Sequence, residues 1–229
     1  MMTLLSPLSR LISPIATRVR SSSRWQQSTF AAIYETNSWG NDESVSGPGS
    51  TLARGADFQS DLLALFDAFG IRSLLDAPCG YFNWMQRVVA ERQLDYTGVD
   101  IVEQLIARNA RVHAAAHRRF LCLDMTRSDL PQADVIVSRD GLVHLSFADA
   151  RAALRNFRRS GSRFLLTTTF INRPRNRDVR TGGWRELNLE AAPFRLAAPL
   201  ALIDERCHHS GGIYRDKRLG LWALDAIDV

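Results

Sequence analysis

The stretch "SLLDAPCGYFNW", residues 73–84, decides the fold of this chain. Its first half is an apolar segment that ends at Asp76, and a turn containing Pro78 and Gly80 leads into a second apolar segment. A buried strand that enters a tight turn and then a helix is typical of the first unit of a nucleotide-binding α/β sheet. Such turns usually carry two or three glycines, so the single glycine here leaves the ligand an open question.

The remaining sequence repeats this alternation of strand and helix. Apolar residues at helical spacing occupy 57–70, 82–93, 102–118 and 146–161, and Ser146 with Asp149 forms an S-x-x-D capping pattern. Strands that alternate with helices predict a Rossmann-like, doubly wound α/β fold with a mostly parallel sheet and helices on both faces. The expected strands are residues 72–77, 96–101, 120–125, 133–138, 163–170, 199–206 and 218–225.

The charge distribution indicates one folded domain behind a basic leader. Residues 1–34 contain four arginines and no acid, so they carry all but one of the five net positive charges. We therefore assign 1–34 to a basic N-terminal tail or leader and 35–229 to the folded domain. The Arg- and Ser-rich leader has the composition of an organelle transit peptide, so import into an organelle is one possibility. The alternative is a loose tail on a cytoplasmic protein, and we expect this alternative. The near-neutral domain argues against a nucleic-acid partner.

Cysteine usage and hydropathy exclude several other classes. The three cysteines lack CxxC spacing, which argues against a disulfide framework and favours a reducing compartment. The segment "CHHS", residues 207–210, does not supply a complete ligand set, so we expect no metal. No apolar run approaches the ~18 residues that a membrane span needs, so we expect no transmembrane segment.

Three acids follow three successive predicted strands. Asp76, Asp100 and Asp124 each come directly after an apolar segment: SLLD, YTGVD and FLCLD. Because parallel strands end at one edge of the sheet, these carboxylates are expected to share a ligand site. An acid about 20 residues after the first turn commonly binds ribose hydroxyls, a role that falls to Asp100. Asp124 is then placed to meet a base edge, and Asp76 lies beneath the turn near a cationic ligand.

The turn itself argues against a pyrophosphate. It lacks the G-x-G-x-x-G pattern that cradles phosphates, and Pro78 has no amide hydrogen to donate. A ligand with adenosine and no phosphates fits better, and S-adenosylmethionine is such a ligand. A nicotinamide dehydrogenase is a distant alternative.

From Trp39 to Leu224 the chain resembles the class I (Rossmann-like) S-adenosylmethionine-dependent methyltransferases. Asp76 matches the acid of that family's first motif and Gly80 matches its second glycine, while Pro78 and Phe82 replace the first and third. More narrowly, it resembles an uncharacterised subgroup with these motifs: ESVSGPGST, D-x-PCG-x-FNWM, GVDIV, SRD-x-LVHLS, LLTTTF, TG-x-W-x-x-LNLE-x-x-PF and LGLW-x-L. The resemblance implies a seven-stranded sheet whose last strand, around LGLWAL, is antiparallel.

The resemblance also implies the residues of the cofactor site. It places Asp76, Cys79, Gly80, Asp100 and Asp124 around S-adenosylmethionine. The segment SRDGLVHLS, which follows the fourth strand, is expected to emerge beside the reactive methyl group. The full set of expected cofactor contacts is Asp76, Cys79, Gly80, Asp100, Ile101, Asp124, Met125, Ser138 and Arg139. The absence of an Asn-Pro-Pro-Tyr type element after the fourth strand argues against methylation of nucleic-acid bases.

Two residues after the fourth strand are candidate general bases. Methyl transfer to a hydroxyl or a protonated amine needs a base, and Asp140 and His144 lie four apart, on one face if the stretch is helical. The alternative for His144 is packing and hydrogen bonding beside the cofactor. Twenty-four residues, 171–194, form a connection long enough to be a substrate lid or only a cover for the sheet. We expect substrate contacts from Trp39, Asn172, Asp178 and Trp184.

These observations predict an S-adenosylmethionine-dependent methyltransferase that acts on a small-molecule or glycan-like acceptor, more readily at oxygen than at nitrogen. One alternative is a nucleic-acid or protein methyltransferase that uses the basic leader as an anchor. The other is a non-catalytic S-adenosylmethionine-binding partner protein.

Overall fold

A computed structural model describes residues 22–208 and 210–228 of the chain. The six α-helices of this part are α1 Ser23–Glu35, α2 Leu52–Ala56, α3 Gln59–Phe69, α4 Met85–Arg92, α5 Glu103–His113 and α6 Phe147–Arg159. Its strands are β1 Ser73–Asp76, β2 Asp95–Asp100, β3 Arg118–Cys122, β4 Val135–Ser138, β5 Phe164–Phe170, β6 Ala201–Asp204 and β7 Lys217–Ala223. No helix in the described ranges is long and apolar enough to cross a membrane.

The strands form one seven-stranded sheet in the order β3-β2-β1-β4-β5-β7-β6. Strands β1 to β5 run parallel to one another. Strand β7 pairs antiparallel with both β5 and β6. The predicted Rossmann-like fold class is therefore confirmed, including seven strands and an antiparallel β7. The strand order reverses between β1 and β4, and ligands of doubly wound sheets bind at such a reversal.

Apolar residues cover both faces of the sheet and set the helices against it. One core cluster joins α3 and α4 to the sheet, and a second joins α6 and the segment 187–196 to the opposite face. Helix α6 begins as expected, because the Ser146 hydroxyl accepts a hydrogen bond from the Asp149 amide at 3.1 Å. Helix α3 ends at Gly70, whose φ of 63° few other residues adopt without cost.

The third strand is shorter than expected. It ends at Cys122, so Asp124 lies two residues beyond the strand and not at its tip. The Asp124 carboxylate accepts hydrogen bonds from the Thr126 amide and hydroxyl at 2.8 and 2.7 Å, which turns the chain away from the sheet.

Helix α1 departs most from the sequence-based expectation. It runs through positions 34 and 35, where we placed the start of the domain, and its residues pack beside the sheet's carboxyl edge. Residues 1–21, which hold most of the predicted leader, lie outside the described residues.

Candidate functional site

A cleft opens at the carboxyl edge of the sheet, where the strand order reverses. It encloses about 1150 Å³ of space, its open mouth included. Asp76, Asp100 and Asp124 all line it, and so do the turn after β1 and one face of α1. The expected site residues found on its wall are Trp39, Asp76, Cys79, Gly80, Asp100, Ile101, Asp124, Met125, Arg139, Asp140 and His144.

The turn after β1 is shaped by Gly80 and by the segment 46–51 that lies over it. Gly80 has a φ of 52°, and a Cβ built there would lie 2.4 Å from the Ser46 hydroxyl. The Ser46 hydroxyl accepts a hydrogen bond from the Tyr81 amide at 2.8 Å. The Gly80 amide donates to the Asp100 carboxylate at 3.2 Å. Only glycine therefore fits this position, because both the backbone angle and the close approach of Ser46 exclude a side chain.

Asp76 and Asp100 are buried carboxylates with no ion-pair partner in the part of the chain that the structure describes. Burial raises the pKa of Asp76 to about 7, although a hydrogen bond from the Tyr96 hydroxyl at 2.8 Å partly opposes this rise. Burial also raises the pKa of Asp100 to about 6, although hydrogen bonds from the Val102 and Gly80 amides lower this pKa in part. Two buried carboxyls without an ion-pair partner favour a ligand that brings positive charge or hydroxyl donors.

Asp124 has a different environment from the other two acids. Its carboxylate accepts a hydrogen bond from the Ser23 hydroxyl of α1 at 2.7 Å and lies 3.2 Å from the Arg127 guanidinium. These partners hold the carboxylate in place at one end of the cleft. They also tie the start of α1 to the loop after β3.

Four charged side chains form a cluster beneath the other end of the cleft. Arg139 is 2.6 Å from the fully buried Glu205, and Lys217 is 2.7 Å from Asp140 and 3.3 Å from Glu205. Arg139 also donates to the Gly49 carbonyl at 2.7 Å, which links the segment 46–51 to the sheet. Two cations and two anions balance here, and Arg139 of this cluster also lowers the pKa of Asp76, although less than burial raises it.

The cluster changes the role expected of Asp140. Although burial alone would raise the pKa of the Asp140 carboxyl, Lys217 and Arg139 hold that pKa well below its usual range. An ionised carboxylate that is paired with two cations is a weak base. The expectation that Asp140 removes a proton from the acceptor stays a prediction, and these ion pairs make Asp140 the weaker of the two candidate bases.

His144 lines the cleft, and one of its two ring nitrogens already makes a hydrogen bond to the protein. Its Nδ1 lies 2.8 Å from the Gly183 carbonyl oxygen, which can only accept, so Nδ1 carries the hydrogen and Nε2 has the lone pair. The ring stacks on Trp39 with centroids 4.6 Å apart. Burial lowers the pKa of His144, partly offset by the hydrogen bond to Gly183, so the imidazole is neutral at pH 7. A neutral imidazole with a fixed tautomer is suited to accept a proton at Nε2.

Four expected site residues lie away from the cleft. Ser138 is fully buried behind its wall. Asp178 accepts from the Phe147 amide at the start of α6 at 2.7 Å, and Trp184 packs against Phe170 and Tyr214. Asn172 is held by its backbone amide, which donates to Asp216 at 3.2 Å. None of these four residues lines the cleft, so the expected cofactor contact of Ser138 and the expected substrate contacts of Asn172, Asp178 and Trp184 stay predictions that the geometry of the cleft does not support.

The connection 171–194 supports the turn that carries His144. The Gly182 amide donates to the His144 carbonyl at 2.8 Å, and Arg185 donates to the carbonyls of Val143 and Leu145. The Thr181 hydroxyl accepts from the Ser146 amide at 2.9 Å and donates to Asp149 at 2.6 Å. This part of the chain is therefore a support for the site and not a cover over its mouth.

Several residues of the site were not predicted from the sequence. Gln26, Phe30, Ile33 and Tyr34 line the cleft from α1. Their spacing of three and four was visible in the sequence, but the acid-free, arginine-rich composition around them indicated a tail. Lys217, the only lysine of the chain, was also missed, because its partner Asp140 lies 77 residues away in sequence.

The sheet order and the cleft at its reversal define a doubly wound, Rossmann-like α/β protein with a ligand site at the usual edge. Comparison with known families narrows this class, because residues 75–161 match the family described as "Methyltransferase domain". The match covers less than half of the chain and includes β1 to α6, the segment that supplies the three carboxylates and His144. A comparison with curated proteins found no significant match.

Solved structures share the fold at low sequence identity. The [4+2]-cyclase SpnF is 20% identical over 78% of this chain and 70% of that chain, with a TM-score of 0.53. Magnesium protoporphyrin IX methyltransferase (ChlM) from Synechocystis PCC 6803, with bound SAM, is 14% identical over 71% of this chain and 81% of that chain, with a TM-score of 0.49. The sugar N-methyltransferase KedS8 from Streptoalloteichus sp ATCC 53650 is 21% identical over 49% of this chain, with a TM-score of 0.42. The chain spans only 47% of the length of KedS8.

Proposed function

We propose that this protein is an S-adenosylmethionine-dependent methyltransferase that acts on a hydroxyl group of a small-molecule or glycan-like acceptor. The observation that carries the proposal is the pair of buried, unpaired carboxylates, Asp76 and Asp100, on one cleft. These carboxylates favour a cationic adenosyl ligand and repel a pyrophosphate. The match of residues 75–161 to a methyltransferase family supports the same cofactor.

The residues on the wall fit S-adenosylmethionine. The Asp100 carboxylate would accept hydrogen bonds from ribose hydroxyls, and Asp76 would face the cationic part of the cofactor. Ile101 and Met125 supply apolar surface to the base, and the glycine at position 80 lets the backbone approach closely. When bound, S-adenosylmethionine would supply a methyl group on a sulfonium. The neutral thioether that remains after transfer is a good leaving group.

His144 is the general base of the proposed reaction. Its Nε2 takes the proton of the acceptor hydroxyl, while the hydrogen bond from Nδ1 to the Gly183 carbonyl keeps the ring oriented. Trp39 stacks on the ring and narrows the space beside it, which favours a small acceptor group. Arg139 and Asp140 lie on the same wall but are engaged with Glu205 and Lys217, so they shape the site and stay ionised.

A direct binding experiment tests the cofactor. Titration calorimetry of the full chain with S-adenosylhomocysteine should show binding, and Asp100→Asn should weaken it by about 1–3 kcal/mol, the usual cost of lost hydrogen bonds to a charged group. Asp95→Asn is the matched control, because Asp95 begins the same strand but is exposed. Equal affinities for wild type and Asp100→Asn would mean that the Asp100 carboxylate does not contact the ligand.

A second experiment tests the transfer. Metabolite extracts incubated with the protein and an isotopically labelled methyl donor should yield a labelled small molecule, whose release by acid or base distinguishes ether, ester and amine products. Cofactor binding with no labelled product from metabolites, nucleic acid or protein would favour the non-catalytic alternative. Labelled nucleic acid or protein would instead favour a macromolecular acceptor.

A further inference from the structure

Helix α1 turns one face toward the cleft. Phe30 lies four residues after Gln26, Ile33 and Tyr34 lie three and four residues after Phe30, and all four line the cleft. Three of them supply apolar and aromatic surface. Gln26 is the exception, since it is the polar residue on this stripe.

The Gln26 side chain is buried and its amide nitrogen has no partner. The residue is 1% exposed, and Nε2 makes no hydrogen bond within residues 22–208 and 210–228. A buried amide without a partner costs free energy. Because Gln26 also lines the cleft, its place there points to a ligand as the missing partner. Its neighbour Gln27 is exposed on the outer side of the same helix, which shows that burial is specific to position 26.

The position of Gln26 along the helix relates it to Asp124. The Ser23 hydroxyl, one turn earlier, donates to Asp124 at 2.7 Å. Gln26 is therefore only about 4.5 Å further along the helix axis than the residue that touches Asp124. Asp124 directly precedes Met125, which in the proposed function supplies apolar surface to the base of the cofactor.

A carboxamide offers one donor and one acceptor side by side. Glutamine and asparagine pair in this way with adenine, donating to N7 and accepting from the 6-amino group. Hypoxanthine presents an oxygen at position 6 and would place two acceptors against each other. The side chain on this wall thus matches an adenine and not its deaminated form.

We infer that Gln26 reads the adenine of the cofactor, so that the segment before residue 35 completes the cofactor site. The inference rests on the proposed function, because it takes the ligand to be an adenosyl compound. It assigns to α1 a specificity-determining residue that selects the purine base.

Titration calorimetry of the full chain with S-adenosylhomocysteine and with S-inosylhomocysteine tests this inference. Wild type should prefer the adenine compound. Gln26→Met should weaken binding of S-adenosylhomocysteine about tenfold, the equivalent of one hydrogen bond of about 1.4 kcal/mol, and should reduce the preference. Gln27→Met, the matched control on the exposed side, should leave both affinities unchanged.

The outcomes separate the inference from the proposed function. If wild type binds neither compound, the proposed function fails and the inference fails with it. If wild type binds S-adenosylhomocysteine and Gln26→Met keeps both its affinity and its preference, only the inference fails. Equal weakening toward both compounds would also overturn it, since Gln26 would then not distinguish the bases. Gln26→Asn, which shortens the amide but keeps its polarity, should lose the preference as well and serves as the second variant.

Discussion

At the scale of single residues, the site depends on carboxylates that the protein leaves without cations. The positions of Asp76 and Asp100 could be predicted because each follows an apolar strand in a parallel sheet. Their surroundings could not, since the Tyr96 hydroxyl that donates to Asp76 comes from the neighbouring strand, 20 residues away in sequence. The ion-paired state of Asp140 was hidden for the same reason: Lys217 lies 77 residues further along the chain.

The raised pKa values of these carboxylates make cofactor binding depend on pH. A cationic ligand with hydroxyl donors favours the ionised forms, so affinity should rise from pH 5 to pH 8 and level off above the pKa of about 7 for Asp76. Calorimetry with S-adenosylmethionine over this range would measure the rise, and Asp76→Asn should flatten its upper part. Affinity that is constant or that increases toward acid would contradict this expectation.

The stability of the free protein should change in the opposite direction. A folded-state pKa above the unfolded value means that the neutral carboxyl stabilises the fold. This stabilisation is complete below pH 4 and is lost as pH rises through about 6 for Asp100 and about 7 for Asp76. Asp76→Asn should therefore raise the melting temperature of the free protein at pH 8. It should also weaken the stabilisation that cofactor provides.

His144 can be separated from a purely structural role by a conservative substitution. His144→Asn keeps a donor for the Gly183 carbonyl and removes the basic Nε2. With an acceptor identified by the labelling screen, turnover should fall by roughly 10²–10⁴-fold while cofactor affinity changes little. The wild-type rate should fall in acid through a pKa below that of free histidine, since burial lowers the pKa of His144. Similar losses in turnover and affinity would indicate a packing role.

At the scale of elements, α1 and the connection 171–194 hold the cleft together. The connection was predicted as a lid or a cover because of its length and polarity. The structure agrees with a cover for the sheet, because Leu187 and Leu189 pack in the core on one sheet face. The Gly182 amide and Arg185 also tie the connection to the His144 turn. Length alone does not distinguish these roles, because the bonds go to backbone carbonyls that no side-chain pattern reveals.

Gly182 tests the packing of α1 against this connection. Its φ is 95°, and a Cβ at this position would lie 2.5 Å from a Thr29 methyl carbon on α1. Gly182→Ala should lower stability by about 1 kcal/mol or more and also weaken cofactor binding, because it pushes α1 from the cleft. Gly70→Ala is the control, since its φ is 63° and no atom lies within 4 Å of the added Cβ.

The control variant Gly70→Ala should lose stability without losing affinity for the cofactor. Thr29→Ser combined with Gly182→Ala should recover part of the affinity by removing the methyl group that clashes. If Gly182→Ala and Gly70→Ala bind cofactor equally well, contact between α1 and the connection has no part in shaping the cleft.

At the scale of the whole molecule, alternating strands and helices were sufficient to predict the sheet, its reversal and the edge that carries the cleft. Parallel strands joined by right-handed crossovers leave few other arrangements. Helix α1 was missed because its composition resembles a leader, although Phe30, Ile33 and Tyr34 have the spacing of a packed helix. The cluster of Arg139, Asp140, Glu205 and Lys217 joins distant segments, so no local pattern could indicate it.

The central claim is that this cleft holds an adenosyl ligand without a pyrophosphate. The most direct measurement is the thermal stabilisation of the full chain by S-adenosylhomocysteine, with NAD at the same concentration in a parallel sample. A ligand at 100 times its Kd should stabilise the fold by about 2.7 kcal/mol. We expect S-adenosylhomocysteine to raise the melting temperature and NAD to leave it unchanged. A shift with NAD, or none with S-adenosylhomocysteine at any soluble concentration, would contradict the claim.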